Sequence, residues 1–582
     1  MLLVPKLLIG SITLARTKKE HLASRFEKIL YLFLVIDLAI GFVALATMIG
    51  KSSSRFQLSQ MKAKLNKWRV AFLVLVLVYF VFLILCLTIQ PMNWDEVTHL
   101  NRALELKNGL YNNFVRDSFY PPLYSAFTMI SFDLFGISLF SARLVSAVFS
   151  ILTLWVVFEL SYKMYSGKTA LISALFLAVM PGFFWLSRLA LLEVMLVFFF
   201  ALSLFFFYSW LTNRKIWLLV LSGLALGFGF LTKYQVIAAV VVMVVSMVIL
   251  GRGLLKRLFS RLTVFIIAAL AVIVPWLVIV YNVLSSYVFD QWMYALRMGN
   301  PGRSLYSARF PIPIYYLIEM VWPYSDVHPI SILLYIVGLA GLGFFVWRRK
   351  REDKFVFVWF ICVFVFFTLI SNREWRYVLT LFPALAISAS AFVLFSYDKL
   401  RGTWIHNLNV KRKKAAKVAA VLLIIFLAVA VVYSINDIYY NVKQNNINIE
   451  IQQATAYAVA RDNGSQSILL LCPFNFFSQD MVHFYLWADG KPEIQTYQYP
   501  ALPVDTYTPT FNITEFIGLC KQDNVKFIFT YENGGTTPYF NTTLSLVDIY
   551  TQIYASKNFT EISPEATFGT NPRRILILNF TG

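Results

Sequence analysis

The sequence predicts an α-helical polytopic membrane protein with about 11–12 transmembrane helices and a C-terminal extracytoplasmic α/β domain. Three observations carry this reading. Hydrophobic residues make up 59% of the 582 residues and aromatics 17%, with a mean hydropathy of +0.67, which is more apolar surface than a soluble chain of this size can cover. From residue 70 onward the apolar residues gather into runs of membrane-crossing length. Beyond residue 436 the character changes, and 437–582 carry 8 Lys and Arg against 13 Asp and Glu in a chain whose net charge is +21.

Residues 1–69 form a basic N-terminal extension. Within it Leu30–Ile49 is apolar enough to span but basic on both flanks, so it reads as one extra membrane helix, a hairpin or a surface helix. It lies too far along the chain for a cleaved signal peptide. Residues 70–436 then hold eleven predicted spans, at about 70–90, 138–162, 169–187, 190–211, 216–232, 234–250, 262–284, 329–347, 355–371, 376–397 and 416–436. With 51–69 in the cytoplasm and the spans alternating, the cytoplasmic connections hold 26 Lys and Arg and the outward loops 10. The positive-inside rule fixes this orientation. It also accounts for the net charge as membrane anchoring, so nucleic acid is not an expected partner. The five Asn-x-Ser/Thr sequons, at Asn463, Asn512, Asn541, Asn558 and Asn579, all follow the last span, on the side where such acceptors are used.

Residues 437–582 contain short β-rich runs, "SILLLC", "VKFIFTY" and "RRILILNF", after a helical pattern, "IEIQQATAYAVARDNG". They read as a small extracytoplasmic α/β domain serving acceptor recognition, a lid or scaffolding. Cys472 and Cys520 fall there, where a disulfide is one option. No CxxC or HExxH occurs, and five scattered histidines make no metal site by spacing.

The outward loop 91–137 follows the first of these spans. It opens with Asp95 and Glu96 directly after Trp94. The next segment, "YPPLYSAFTMISFDLF", starts at Tyr120 with two prolines suited to a helix start. It is too short to cross and carries Asp133, so it reads as an interfacial helix. Further charges sit at the outer ends of other spans: Arg188 and Glu193 in "SRLALLEVML", Lys233 in "FLTKYQ", and Arg373 and Arg376, with Tyr377, in "SNREWRYVL". Taken singly, Asp95 reads as a solvated helix end, Lys233 and Arg376 as snorkelling anchors, and Arg188 as an ion-pair partner for Glu193. Taken together, they converge on one face of the membrane.

The order "WDE", "YPPLY", "SRLALLEVMLVFFFAL", "GLALGFGFLTK", "WRYVLTLFPALAI" across residues 70–400 resembles the protein O-mannosyltransferase and aminoarabinose transferase group. These are glycosyltransferases of the GT-C fold that use lipid-phosphate sugars. The resemblance implies that Asp95 is the catalytic base with Glu96 beside it, that Glu193 and Arg188 form the second acidic site, and that Lys233, Arg376 and Tyr377 meet the donor. It also implies a polyprenyl- or dolichyl-phosphate donor, with mannose as one sugar, and an extracytoplasmic protein, glycan or lipid acceptor. Where relatives have Lys or His before the double proline this chain has Tyr120, so Lys233, Arg373 or Arg376 must supply the phosphate contact. The β-trefoil insert of eukaryotic mannosyltransferases is missing and a C-terminal outer domain stands instead, which points to a prokaryotic relative, archaea included, in the cell membrane.

The chemistry fits these residue types. The transferred carbon passes through an oxocarbenium-like state. A carboxylate takes the acceptor proton, and cations meet the charge growing on the leaving phosphate. Direct displacement inverts the anomeric centre. Either Asp95 or Glu96 could be the base, the other orienting the acceptor. No cofactor is required, although the loop carboxylates could hold a divalent metal. The alternative reading is a transporter or lipid flippase with an outer binding domain, for which charges at the bilayer midplane would be expected instead.

Overall fold

The computed structural model describes residues 67–582 except 117–119, 251–257, 298–308, 326, 407–408, 445–448, 462–466, 475, 501–510, 533–544, 563–567 and 570–573. The candidate extra helix at Leu30–Ile49 and the sequons at Asn463 and Asn541 lie outside the described residues. From Lys67 onward the chain is one compact unit.

The bundle opens with α1 (Lys67–Leu85). The loop that follows folds into α2 (Trp94–Lys107), the short α3 (Tyr111–Arg116) and α4 (Leu123–Phe135). Next come α5 (Leu139–Met164), α6 (Gly167–Ala178), α7 (Pro181–Ser187), α8 (Glu193–Asn213), α9 (Trp217–Thr232), α10 (Ala238–Leu250), α11 (Leu258–Leu284) and α12 (Tyr287–Arg297). After α13 (Tyr315–Glu319), four long helices complete it: α14 (Ile332–Arg348), α15 (Arg351–Thr368), α16 (Phe382–His406) and α17 (Val410–Gln444). Every predicted apolar run falls on one of these helices, but their lengths are uneven. Six helical segments among the described residues are long and apolar enough to cross a membrane, and α9, α10 and α14 are shorter apolar helices.

The run predicted at 169–187 is a broken one. α6 and α7 meet at 69°, with Pro181 at the first position of α7, where a missing N–H costs nothing. The backbone groups released by the break find partners elsewhere. The Ser434 hydroxyl donates to the Val179 carbonyl at 2.6 Å, and the Gly182 N–H donates to the Pro329 carbonyl at 2.8 Å, as a low-dielectric interior demands. α8 lies at the centre, with 89% of its apolar window buried, while α17 lies at the rim with 17%. α14 and α16 approach so closely that a Cβ on Gly341 would collide with the Ser388 carbonyl.

The C-terminal region folds as α18 (Ile451–Val459), β1 (Ser467–Leu471), α19 (Gln479–Ala488), β2 (Thr496–Tyr499), α20 (Ile513–Gln522), β3 (Val525–Tyr531), α21 (Leu546–Ala555), β4 (Phe559–Glu561) and β5 (Ile575–Phe580). The sheet order is β2-β1-β3-β5-β4. β1 is parallel to β2 and β3, whereas β5 is antiparallel to β3 and β4. β1 is buried at every position, as expected of a strand covered on both faces. The disulfide option fails, since Cys472 and Cys520 are both buried free thiols. This domain sits on the loop between α1 and α5. Asn101 of α2 donates to the Asp480 carbonyl of α19 at 3.2 Å, and the rings of Phe132 and Phe484 lie 6.2 Å apart.

One buried ion pair anchors that loop to the bundle. Asn93 caps α2 by accepting from the Glu96 N–H at 2.9 Å, and the Glu96 carboxylate accepts from the Asn93 N–H at 3.1 Å, closing a capping box. The same carboxylate is gripped by Arg143 of α5 through Nε and Nη2, both at 2.7 Å. Neither side chain has any exposed surface. Glu96→Gln therefore leaves Arg143 charged and unmatched, and is expected to cost about 3–5 kcal/mol. Asp95→Asn, at a half-exposed position, is expected to stay within about 1 kcal/mol of the parent. Unfolding of the purified protein in detergent checks both, and equal unfolding temperatures for Glu96→Gln and the parent would overturn the first.

Candidate active site

α2 turns about 100° per residue, so its two adjacent carboxylates face different surroundings. Glu96 is enclosed with Arg143. Asp95 keeps 47% of its side-chain surface exposed and meets Arg376 at 2.5 Å, Oδ2 to Nη1. The Arg376 guanidinium next to it holds the Asp95 carboxyl below the ordinary carboxylate range against the opposing effect of burial, with Lys233 adding a smaller pull. Arg376 lies at the start of a 3-10 turn, Trp375–Leu381, that leads into α16. Its Nε donates to Glu374 at 2.7 Å. Burial pushes the Glu374 carboxyl up, and Arg376 only partly offsets this.

A second pair stands beside the first. Lys233 ends α9 and donates to Glu193, the first residue of α8, at 2.9 Å. The Lys233 ammonium lies 5.0 Å from the centre of the Tyr377 ring and the Arg376 guanidinium 5.7 Å from it, so the two cations flank one aromatic. Behind Asp95, His99 is buried. Its ring meets Tyr120 edge-on at 4.8 Å and Tyr124 at 5.6 Å. Burial pushes the imidazole down to about 3, so it stays neutral.

The structure thus brings Asp95, Arg376, Lys233, Glu193 and Tyr377 into one cluster, with Tyr120 joined to it through His99. Three of the expected residues lie apart from it. Glu96 has both oxygens committed to Arg143, to the Asn93 N–H and to the Ala190 N–H at 2.7 Å, so its carboxylate serves the loop anchor and does not reach the open side. Arg188 does not pair with Glu193. It is fully buried and its guanidinium reaches Gln90 at 3.5 Å, because the chain between α7 and α8 turns the two side chains apart. Arg373 is directed at backbone carbonyls, those of Thr368 at 3.1 and 3.2 Å and of Ser371 at 3.5 Å, at the end of α15.

Four residues of this region escaped the sequence reading. Arg143 carried a usable signal, being a lone arginine in an apolar run, which implies a buried partner. Glu374 sits between two noted arginines. His99 and Arg102 gave none, as both read as the polar face of a loop helix. Among the described residues no three His, Cys, Asp or Glu side chains are grouped as a metal ion would require.

Residues 120–279 match the family model described as dolichyl-phosphate-mannose-protein mannosyltransferase. An uncharacterized protein of Aquifex aeolicus is 25% identical over 305 residues, 51% of this chain and 58% of that protein. The undecaprenyl phosphate-alpha-4-amino-4-deoxy-L-arabinose arabinosyl transferase of Serratia proteamaculans is 26% identical over 275 residues, 46% of this chain and 48% of that protein. The chain therefore spans about half the length of the curated relatives it matches. Among solved structures, ArnT from Cupriavidus metallidurans superposes with a TM-score of 0.58 at 16% identity, covering 88% of this chain and 98% of that one. The same protein bound to undecaprenyl phosphate gives 0.57 at 15%, covering 89% and 99%.

The class is therefore settled: this is a multi-pass membrane protein of the GT-C fold. The likeness to ArnT extends over 88% of this chain.

The opposed shifts of the two carboxyls on Arg376 set an order of protonation. As pH falls, Glu374 takes up its proton above the ordinary glutamate value of about 4.3, and Asp95 does so only below the ordinary aspartate value of about 3.9. Asp95 thus contributes stability that is present above the unfolded aspartate pKa and is lost as pH falls through its depressed folded value. Glu374 has the opposite sign, its buried charge weighing against the fold once pH rises through its raised value. Infrared carboxylate titration of the parent, Asp95→Asn and Glu374→Gln reads this directly, and an Asp95 band protonating before the Glu374 band would contradict it.

Proposed function

We propose that this protein is a glycosyltransferase that moves a sugar from a polyprenyl-phosphate donor to a hydroxyl of an extracytoplasmic acceptor, with inversion. The observation that carries the reading is the Asp95–Arg376 contact, a half-exposed carboxylate held by a cation that has Lys233 and Tyr377 at its side. The match of residues 120–279 to a dolichyl-phosphate-mannose family model and the likeness in fold to a protein solved with undecaprenyl phosphate support the donor class. The excess of basic residues on the opposite connections supports an outward position for the cluster and for the C-terminal domain.

In the resting protein Arg376 is neutralised by Asp95 and Glu374. A donor phosphate presents a stronger anion, and the arginine fork suits its oxygens. As Arg376 and Lys233 turn to the phosphate, Asp95 loses the neighbour that held its pKa down and becomes a better base. The acceptor oxygen then attacks the anomeric carbon, the bond from that carbon to the phosphate oxygen breaks with its electron pair on the phosphate, and the acceptor proton passes to Asp95. Glu193 and Glu374 hold the two cations in place. No divalent metal is assigned a role. The matched relatives name mannose and 4-amino-4-deoxy-L-arabinose, and these two sugars head the donor panel.

Purified protein incubated with radiolabelled polyprenyl-phosphate sugars, with label scored in protein, glycan and lipid fractions, tests the reading. Asp95→Asn is expected to abolish transfer while the protein stays folded, and full activity in that variant removes Asp95 as the base. Arg376→Ala is expected to lower transfer by about 10²–10³, the effect of losing one preorganised electrostatic partner. Donor dependence unchanged from the parent would refute its role.

A further inference from the structure

A cavity of about 450 Å³ opens between α2 of the loop and α19 of the C-terminal domain. Its volume falls in the range of about 300–1,000 Å³ that small-ligand sites occupy. Its lining mixes polar side chains with the apolar Leu104, Leu110 and Pro492. Thr98 and Asn101 come from α2, Asp480, His483 and Trp487 from α19, and Gln495 from the approach to β2. The one arginine there, Arg102, donates through Nη1 to the Phe114 carbonyl at 2.9 Å and through Nη2 to the Tyr120 carbonyl at 2.8 Å. Its guanidinium also lies 4.2 Å from the Phe114 ring. Its charge serves the loop, and the cavity's other charged side chains are carboxylates, Glu105 and Asp480.

Two polar atoms of this lining lack partners among the described residues. Asn101 Oδ1, an acceptor, and Trp487 Nε1, a donor, are both shielded from water. Buried groups of this kind ordinarily find a hydrogen bond, and leaving them without one costs stability. Asn101 already spends its amide N–H on α19, so its oxygen is oriented. The Trp487 and His483 rings lie 5.4 Å apart and give the cavity an aromatic wall. Burial pushes the His483 imidazole down and the Asp480 carboxyl up, so both are driven toward their neutral forms. An indole face, an amide oxygen, an indole N–H, an imidazole and a carboxyl in one cleft match a ligand rich in hydroxyl donors and acceptors and lacking charge. An anionic group meets the Glu105 carboxylate here, and the one arginine is already engaged by the loop.

We propose that the cleft between α2 and α19 binds a neutral saccharide of one or two hexose units. Thr98 stands one helical turn from Asp95, so the cleft runs away from the proposed base along the same helix. A glycan acceptor held there has its remainder near the reacting hydroxyl. This last step rests on the glycosyltransferase reading, whereas the binding itself does not.

The test is direct binding to the full-length protein in detergent, with no donor present, read by saturation-transfer NMR and tryptophan fluorescence. The probes are methyl α-mannoside, mannobiose and maltose, set against glucuronate, inorganic phosphate and a Ser/Thr-rich peptide. Saturable binding of a neutral sugar is expected, weakened about tenfold by Asn101→Ala and by Trp487→Phe, each of which removes one hydrogen bond. The Phe variant keeps the ring and its packing, and unfolding curves matching the parent show that both variants fold. Asp95→Asn is expected to bind like the parent. The proposal is overturned if no neutral sugar binds, if the peptide or phosphate binds in preference, or if both cleft variants bind as the parent does. Sugar binding without transfer on any donor would refute the glycosyltransferase reading and leave this site standing. Transfer without sugar binding would do the reverse.

Discussion

The arrangement of the loop above the bundle depends on the Glu96–Arg143 pair. Burying two charges is unfavourable unless every lone pair and proton is matched. Here the matching is complete. Arg143 has five N–H groups, and they go to both Glu96 oxygens and to the carbonyls of Leu87, Gln90 and Pro91. Glu96 also accepts from the backbone of Asn93 and Ala190. The exit of α1, the start of α2, the middle of the α7–α8 connection and α5 are thus tied at one point. The first turn of α2 cannot rotate without breaking several of these bonds, and the direction of Asp95 follows from that.

Asp95 and Glu96 are neighbours in sequence with opposite physical situations. One is enclosed and fully paired. The other is half-exposed and held by a cation that has a second anionic neighbour. Across the cluster three carboxylates, Asp95, Glu193 and Glu374, share two cations, Arg376 and Lys233. Such a site carries no surplus positive charge at rest. On the proposed function a phosphate takes Arg376 from Asp95, so binding of the anion and the rise in Asp95 basicity become one event. A site with unpaired cations would hold phosphate more tightly but would not change the basicity of Asp95 on binding.

Much of the fold was legible because hydropathy alone marks where helices must satisfy their own backbone. The break at Val179–Met180 was less so, since its support, Ser434 and Pro329, comes from far along the chain. In the cluster, Lys233 and Arg376 were legible as charges at the ends of apolar runs. Their partners were not, because Lys233 pairs over 40 positions and Arg376 over 281. The nearby candidate pairing, Arg188 with Glu193, failed for the same reason: sequence proximity across a bend between helices says nothing about side-chain direction. Likewise, nothing in "WDE" says which carboxylate is enclosed. That is decided by Arg143, 47 residues on. In the C-terminal domain the hydrophobic strands β1, β3 and β5 declared themselves, while β2 and β4, short and with mixed polarity, did not.

The position of α2 also bears on the C-terminal domain. An independent appendage would leave the loop helices with their own polar covering. Instead Phe132 of α4 meets Phe484 of α19, Asn101 bonds to the α19 backbone, and Tyr485 of α19 lies within the field of Arg143 and Glu96. The domain therefore covers an apolar surface that the bundle cannot cover itself, and removing it would expose the upper face of the helix that carries Asp95. The bundle thus holds the first turn of α2 through Glu96, and the domain holds the helix further along through Asn101.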